Sequence, residues 1–164
     1  MATTRWAEVV DALVETMRST SGFRAPSAAG SGIPVYDSVE VDGQEERPIG
    51  TYLVVAYPGD VDSPTEGGRS TQTPGPMGTT RPMDEDGSVE LVAVVQTGDH
   101  DGVSAVRAAA VAVMAAVESA LRSDPTLGGV VYWCLPEGGS SFKQYLADGI
   151  VVEVAFAVNY YARV

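Results

Sequence analysis

The side chains that could do chemistry in this chain are few and scattered. His100 is its only histidine and Cys134 its only cysteine. A serine hydrolase needs a histidine beside its nucleophile, and no G-x-S-x-G elbow is present. Ala29-Gly30-Ser31-Gly32 comes near it but lies in a run of small residues, not between a strand and a helix. A cysteine nucleophile would need His100 to reach Cys134, which sits in the apolar run Val130–Leu135 and reads as a buried free thiol. A single cysteine also excludes an intramolecular disulfide. Asp99-His100-Asp101 supplies metal-type ligands, but a stable transition-metal site takes three or four in converging geometry, and the segment reads as a loop capping the next helix. Asp84, Asp86, Gly87 and Glu90 share the residue types of a calcium loop without the EF-hand spacing or a preceding helix; they read as a solvated turn. No P-loop and no G-x-G-x-x-G occurs. The expectation is no catalytic centre, no cofactor and no metal.

The elements that must position these residues are easier to read. Trp6, Val9, Val10, Leu13, Val14 and Met17 follow the spacing of one buried helical face, predicting a helix over Arg5–Ser19 with Thr4 as its N-cap. The small residues Ala25–Gly32 read as a loop, followed by a short strand near Val35–Val41, a turn at Asp42-Gly43 and an exposed run Gln44–Pro48. Thr51–Tyr57 reads as a strand. Pro58–Asp86 is rich in Gly, Pro, Ser, Thr and Asp and reads as one long polar loop. Asp86-Gly87 then turns the chain into Ser88–Thr97, a strand apolar on both faces and so central.

A second helix is expected from Val103 to Ser123, with Asp101 as a cap, Val103, Val106, Ala110, Val113, Val117 and Leu121 as its buried stripe, and Asp124-Pro125 as its stop. Gly128-Gly129 leads into a strand Val130–Leu135. Pro136–Ser141 reads as a loop, and Phe142–Ala147 is ambiguous between strand and helical turn. Ile150–Arg163 alternates strictly; as a strand it would reach roughly 45 Å, longer than a small domain needs, and could pair with a neighbour. The whole reads as a single α+β domain: one mainly antiparallel β-sheet with two α-helices packed on one face, plus the long polar loop.

The chain has 164 residues and a net charge of −12, and nine of its ten basic residues are arginine, with Lys143 the exception. A protein that grips nucleic acid by its phosphates needs a basic face, and no run of Arg or Lys provides one. The aromatics Trp133, Tyr160 and Tyr161 therefore read as core or subunit interface and not as base-stacking platforms; Trp6 reads as core. No apolar stretch is expected to reach the roughly 18 residues that span a bilayer, and Met1–Trp6 lacks a signal-peptide core, so a cytoplasmic origin is expected.

The order of segments is similar to a known family. A helix over Arg5–Ser19 leads into short strands; a strand ending Gln96-Thr97-Gly98 passes into a helix containing Arg107-Ala108-Ala109-Ala110, which ends in Leu121-Arg122-Ser123-Asp124-Pro125-Thr126-Leu127-Gly128-Gly129; a β stretch closes the chain with Phe156-Ala157-Val158-Asn159-Tyr160-Tyr161-Ala162-Arg163. This layout resembles the tail-terminator (minor tail, tail-completion) proteins of siphophages over most of the chain, the Pro58–Asp86 loop excluded.

The resemblance implies a non-enzymatic virion protein, assembled in the host cytoplasm. It would form a homo-oligomeric ring, a hexamer, at the head-proximal end of the tail tube, stop tube polymerisation, and join the tail-tube protein to the head-tail connector protein. DNA would pass the lumen without specific binding, and no membrane would be involved. The expected subunit or partner contacts are the long loop (Pro58, Asp60, Asp62, Arg69, Arg81), the Asp99–Gly102 loop (Asp99, Asp101), and the exposed side of the last strand (Glu153, Asn159, Tyr161, Arg163). Three other readings compete: a head-tail connector or head-completion protein, a tail-tube subunit, and a small ligand-binding or enzymatic domain with a deep polar pocket.

Overall fold

The first helix, α1 (Trp6–Ser19), turns Val9, Val10, Leu13, Val14 and Met17 inward, as the apolar spacing requires. A computed structural model describes residues 4–38, 50–57, 59–60, 63–64, 67–74, 83–98 and 102–164, with the side chains of 59–60 and 63–64 left aside. The strands are β1 (Phe23–Arg24), β2 (Ile33–Asp37), β3 (Gly50–Val55), the short pair β4 (Gly59–Asp60) and β5 (Ser63–Pro64), β6 (Gly68–Pro74), β7 (Met83–Thr97), β8 (Trp133–Ala147) and β9 (Gly149–Arg163). The second helix, α2 (Val103–Ser123), lies between β7 and β8 in sequence.

Seven strands form one sheet in the order β1-β2-β3-β7-β9-β8, with β6 also paired to β7. The pairs β1–β2 and β2–β3 are parallel and the others antiparallel. β3 takes the C-terminal half of one edge of β7, opposite Leu91–Gln96, and β6 takes the N-terminal half, opposite Met83–Val89. β7 is therefore the central strand, as its two apolar faces predict.

Both helices cover the same face. Val9, Leu13 and Met17 of α1 and Val106, Val113 and Val117 of α2 pack in one cluster with Leu53, Leu91, Ala93, Val152, Val154 and Val158 of the sheet. The opposite face holds a second cluster of Tyr36, Tyr52, Val54, Val92, Val94 and Val151, in which the rings of Tyr36 and Tyr52 meet edge to face at 5.8 Å. The predicted α+β architecture, one mainly antiparallel sheet with two helices on one face, is the fold observed.

Five local expectations are corrected. Asp86-Gly87 is not a turn: both residues lie within β7, which starts at Met83 and not Ser88. The polar run Pro58–Asp86 is not one loop, because Gly68–Pro74 alternates and pairs along its whole length with β7; threonines supply β propensity that a hydrophobicity reading overlooks. Pro136–Ser141 belongs to β8, whose register with β9 shifts between Pro136 and Ser140. Thr4 is not the N-cap: Arg5 holds that position, while the Thr4 hydroxyl accepts from the Trp6 N–H at 3.1 Å. Finally, α2 is long and apolar enough to span a bilayer by length and composition, with a mean hydropathy of 1.5, yet only 28% of that window is buried. Alanines spread that hydropathy around the helix, so no conspicuous run announces it. The expected turn at Asp42-Gly43, the run Gln44–Pro48, and the cap Asp101 lie outside the described residues.

Candidate interaction surface

Beyond the cover of α1, the strands β6, β7, β9 and β8 continue as a four-stranded extension of the sheet. On its helix side, Glu85 is fully buried. Its carboxylate accepts from Thr4 Oγ1 at 2.9 Å, the Arg5 backbone N–H, Gln72 Nε2 at 2.9 Å and Tyr160 Oη at 2.7 Å. Burial alone would raise its pKa; the donated bonds outweigh that and hold the carboxyl below its ordinary value. The same burial, and the negative neighbour, push the Tyr160 phenol far up. A carboxylate at the N-terminus of α1 also complements the helix dipole. This hub ties α1 to the sheet; the Glu85 side chain is buried, while Thr4 at its margin is exposed.

The other side of the extension is open. Cross-strand register places Arg69, Ser88, Asn159 and Leu135 in one row and Thr71, Asp86, Tyr161 and Trp133 in the next. A shallow depression of about 340 Å³ runs across these rows, lined among others by Arg69, Asp86, Trp133, Glu137 and Asn159. Tyr161 lies under two neighbours, Tyr132 at 5.6 Å and Trp133 at 6.3 Å between ring centroids. Arg163 Nε donates to Asp84 Oδ1 at 3.0 Å, which keeps the guanidinium charged, and its plane sits 6.0 Å from the Tyr132 ring.

Of the predicted contact residues, the structure gathers Arg69, Asn159, Tyr161 and Arg163 on this one open face. Glu153 is not exposed: it is buried on the same sheet face, where Tyr145 Oη donates to it at 2.7 Å. Asp60 lies in β4, its side chain undescribed. Pro58, Asp62, Arg81, Asp99 and Asp101 lie outside the described residues, as does His100. Cys134 is a buried free thiol, and burial pushes it up to about 12.

Sequence reasoning found the outer strand only in part: the strand expected over Val130–Leu135 begins at Trp133 and runs on to Ala147. Tyr132, Trp133, Leu135, Phe142 and Leu146 are exposed large apolar residues on or just before β8, Phe142 to 59% and Leu146 to 73%. Reading Pro136–Ser141 as a loop split β8 and hid its length. The alternation of Phe142, Gln144 and Leu146 against Lys143 and Tyr145 was the available signal.

A cavity of about 670 Å³ is an open trough between α1 and α2 lined mostly by Ala, Ser and Thr. Among the described residues no group of three or more His, Cys, Asp or Glu is placed to hold a metal ion. Comparison with protein-family models and with curated proteins finds no match to this chain.

Proposed function

We propose that this chain is a structural assembly subunit of the siphophage tail-terminator type. It self-associates into a ring, caps the growing end of a tail tube and presents its other surface to a head connector. The observation that carries this reading is the outer strand of the sheet. Among the described residues β8 borders only β9, and its exposed side chains include four large apolar residues, Trp133, Leu135, Phe142 and Leu146, a pattern that in soluble proteins marks a protein-docking surface. The order of segments, helix, short strands, central strand, Ala-rich helix and a closing hairpin, supports the same reading. The acidic balance of the chain suits a channel through which DNA slides without sticking. Growth stops for a geometric reason: one ring face mimics the tube end and the other lacks the next tube-binding surface.

The test is co-assembly with a siphophage tail-tube protein. The expected result is six-fold rings by negative-stain microscopy and tubes that stop lengthening when the chain is added. Tubes that elongate unchanged, with the chain remaining monomeric beside them, would sink the reading.

A further inference from the structure

Among the described residues β8 ends the sheet, and its outer edge is open over one half. In the other half, the Cys134 N–H is already taken by the Pro125 carbonyl at 2.6 Å, Pro136 has no N–H to offer, and the register with β9 shifts between Pro136 and Ser140. From Ser140 to Ala147 the pairing with β9 is regular. Every residue of that stretch except Tyr145 is exposed. A regular strand with one neighbour leaves alternate N–H and C=O groups pointing outward.

The side chains of this stretch are arranged symmetrically. Phe142 stands opposite Val154 and Leu146 opposite Ile150, both core residues, so Phe142 and Leu146 share the helix side. At 59% and 73% they are the most exposed large apolar side chains among the described residues. Gln144 lies midway between them on the same side. On the other side Lys143 stands opposite Glu153 and Tyr145 opposite Val151, and Lys143 Nζ lies 5.6 Å from the centre of the Tyr145 ring.

We propose that two copies of the chain join edge to edge along Ser140–Ala147, antiparallel, about a two-fold axis at Gln144. The two sheets then continue into one, with the helices of both copies on the same side. Residues directly opposite across such a pair share a face, so the axis falls on a residue and not between two. At Gln144 it sets Phe142 of each copy opposite Leu146 of the other, and the four side chains bury one another. Lys143 then faces Tyr145 of the other copy, a cation–ring pairing that each chain already makes internally. Moving the axis to Lys143 sets two ammonium groups directly opposite, which is unfavourable, and leaves Phe142 against Gln144. Moving it to Tyr145 sets Phe142 against the carboxylate of Asp148. The occupant is a second copy because the pattern is its own complement: the apolar partner that Phe142 needs is Leu146, at the matching place on the same strand. The contact goes beyond the ring reading and does not rest on it. A two-fold contact closes at two copies, whereas a ring takes a heterologous one, so the pair is a form of the chain without tube protein. The eight residues Ser140–Ala147 fall short of the roughly 20–30 a side of a stable interface, so the pair is reversible.

The experiment has two arms, both on the full chain without tube protein. In sedimentation velocity over a concentration series reaching the solubility limit, wild type should pass from monomer to dimer. The doubly substituted Phe142→Asp, Leu146→Asp chain should keep the wild-type circular dichroism, since both side chains are exposed, and its dissociation constant should rise at least about tenfold. The second arm reads the register under oxidising conditions. Gln144→Cys places its two thiols across the axis, with about 5 Å between Cα atoms, and should form a disulfide-linked dimer. Ser140→Cys sets its two thiols roughly 27 Å apart along the strands and should not; this arm holds whether or not the double variant folds. A wild type monomeric to its solubility limit, a double variant that dimerises as tightly as wild type, or Ser140→Cys linking as readily as Gln144→Cys would each overturn the pairing. The assembly reading is judged separately, by rings and tube length in the presence of tube protein.

Discussion

Tyr160 donates a 2.7 Å hydrogen bond from its phenol to Oε1 of Glu85, across the pairing of two long neighbouring strands. Among the described residues no cationic side chain pairs with that carboxylate; its charge is held by four donors. Hydrogen bonds to charged acceptors contribute about 1.5–3 kcal/mol each. Tyr160→Phe should therefore destabilise the fold by about that amount in urea denaturation, with little change in the slope against urea, because packing is kept.

The same carboxylate sets an acid limit. The folded pKa of Glu85 lies below its ordinary value of 4.5, so the folded state binds fewer protons in that range than the unfolded chain. The associated stability is fully present above that ordinary value and is lost as pH falls through the lower, folded value. Urea midpoints measured from neutral pH downward should drop steeply below the ordinary glutamate range. Glu85→Gln should be less stable at neutral pH and show a shallower acid decline. An equally steep decline in Glu85→Gln would assign the acid limit to other carboxylates.

Gly87 is required by its neighbour and not by its own backbone. A Cβ added there would run into Cζ, Cε1 and Oη of Tyr160, since the tyrosine ring crosses the glycine to reach Glu85. Gly87→Ala should cost about 1–3 kcal/mol through overpacking. In a Tyr160→Ala background most of that penalty should vanish, and a double-mutant cycle measures the coupling. Additivity would show that the ring and the glycine do not contend for one space.

The architecture was legible from the sequence because both helices and the central strand carry strong periodicity. Val9, Leu13 and Met17, then Val106, Val113 and Val117, mark the faces that the sheet buries. Less visible were strands made of polar or small residues. β6 reads Gly-Arg-Ser-Thr-Gln-Thr-Pro, and its place is set by pairing with β7, which no local pattern encodes. Asp86-Gly87 has the composition of a turn yet lies mid-strand, because Gly87 makes room for Tyr160. Of the open face, Asn159, Tyr161 and Arg163 could be named from the alternation of the last strand. Glu153 shares that alternation but is buried, because Tyr145 reaches it from β8. The partners that decide exposure are distant in sequence.

Cys134 gives a direct probe of opening. The thiol is fully buried and burial pushes its pKa up to about 12, so almost no thiolate exists at neutral pH. Reaction with a thiol reagent should proceed only through opening of the β8–β9 region. Its rate should rise with urea in step with unfolding followed by circular dichroism. Rapid labelling in native buffer, at the rate of a free thiol, would show that β8 frays on its own.

The turn after α2 ranks three substitutions. Leu127 has φ 50 and is 2% exposed, while Gly128 and Gly129 have φ 68 and 91 with open space where a Cβ would go. Asp124 holds the turn, accepting from the Thr126 hydroxyl at 2.7 Å and the Gly128 N–H at 2.8 Å. A left-handed conformation costs an ordinary residue roughly 1–2 kcal/mol, so Gly128→Ala and Gly129→Ala should each lose about that much and no more. Leu127 already bears this strain in the native chain, offset by burying its side chain against the core. Leu127→Ala keeps the strain and loses the burial, at a cost of about 2–5 kcal/mol. Urea midpoints should therefore fall furthest for Leu127→Ala. If either glycine variant fell further, the turn would be limited by backbone conformation and not by the leucine it buries.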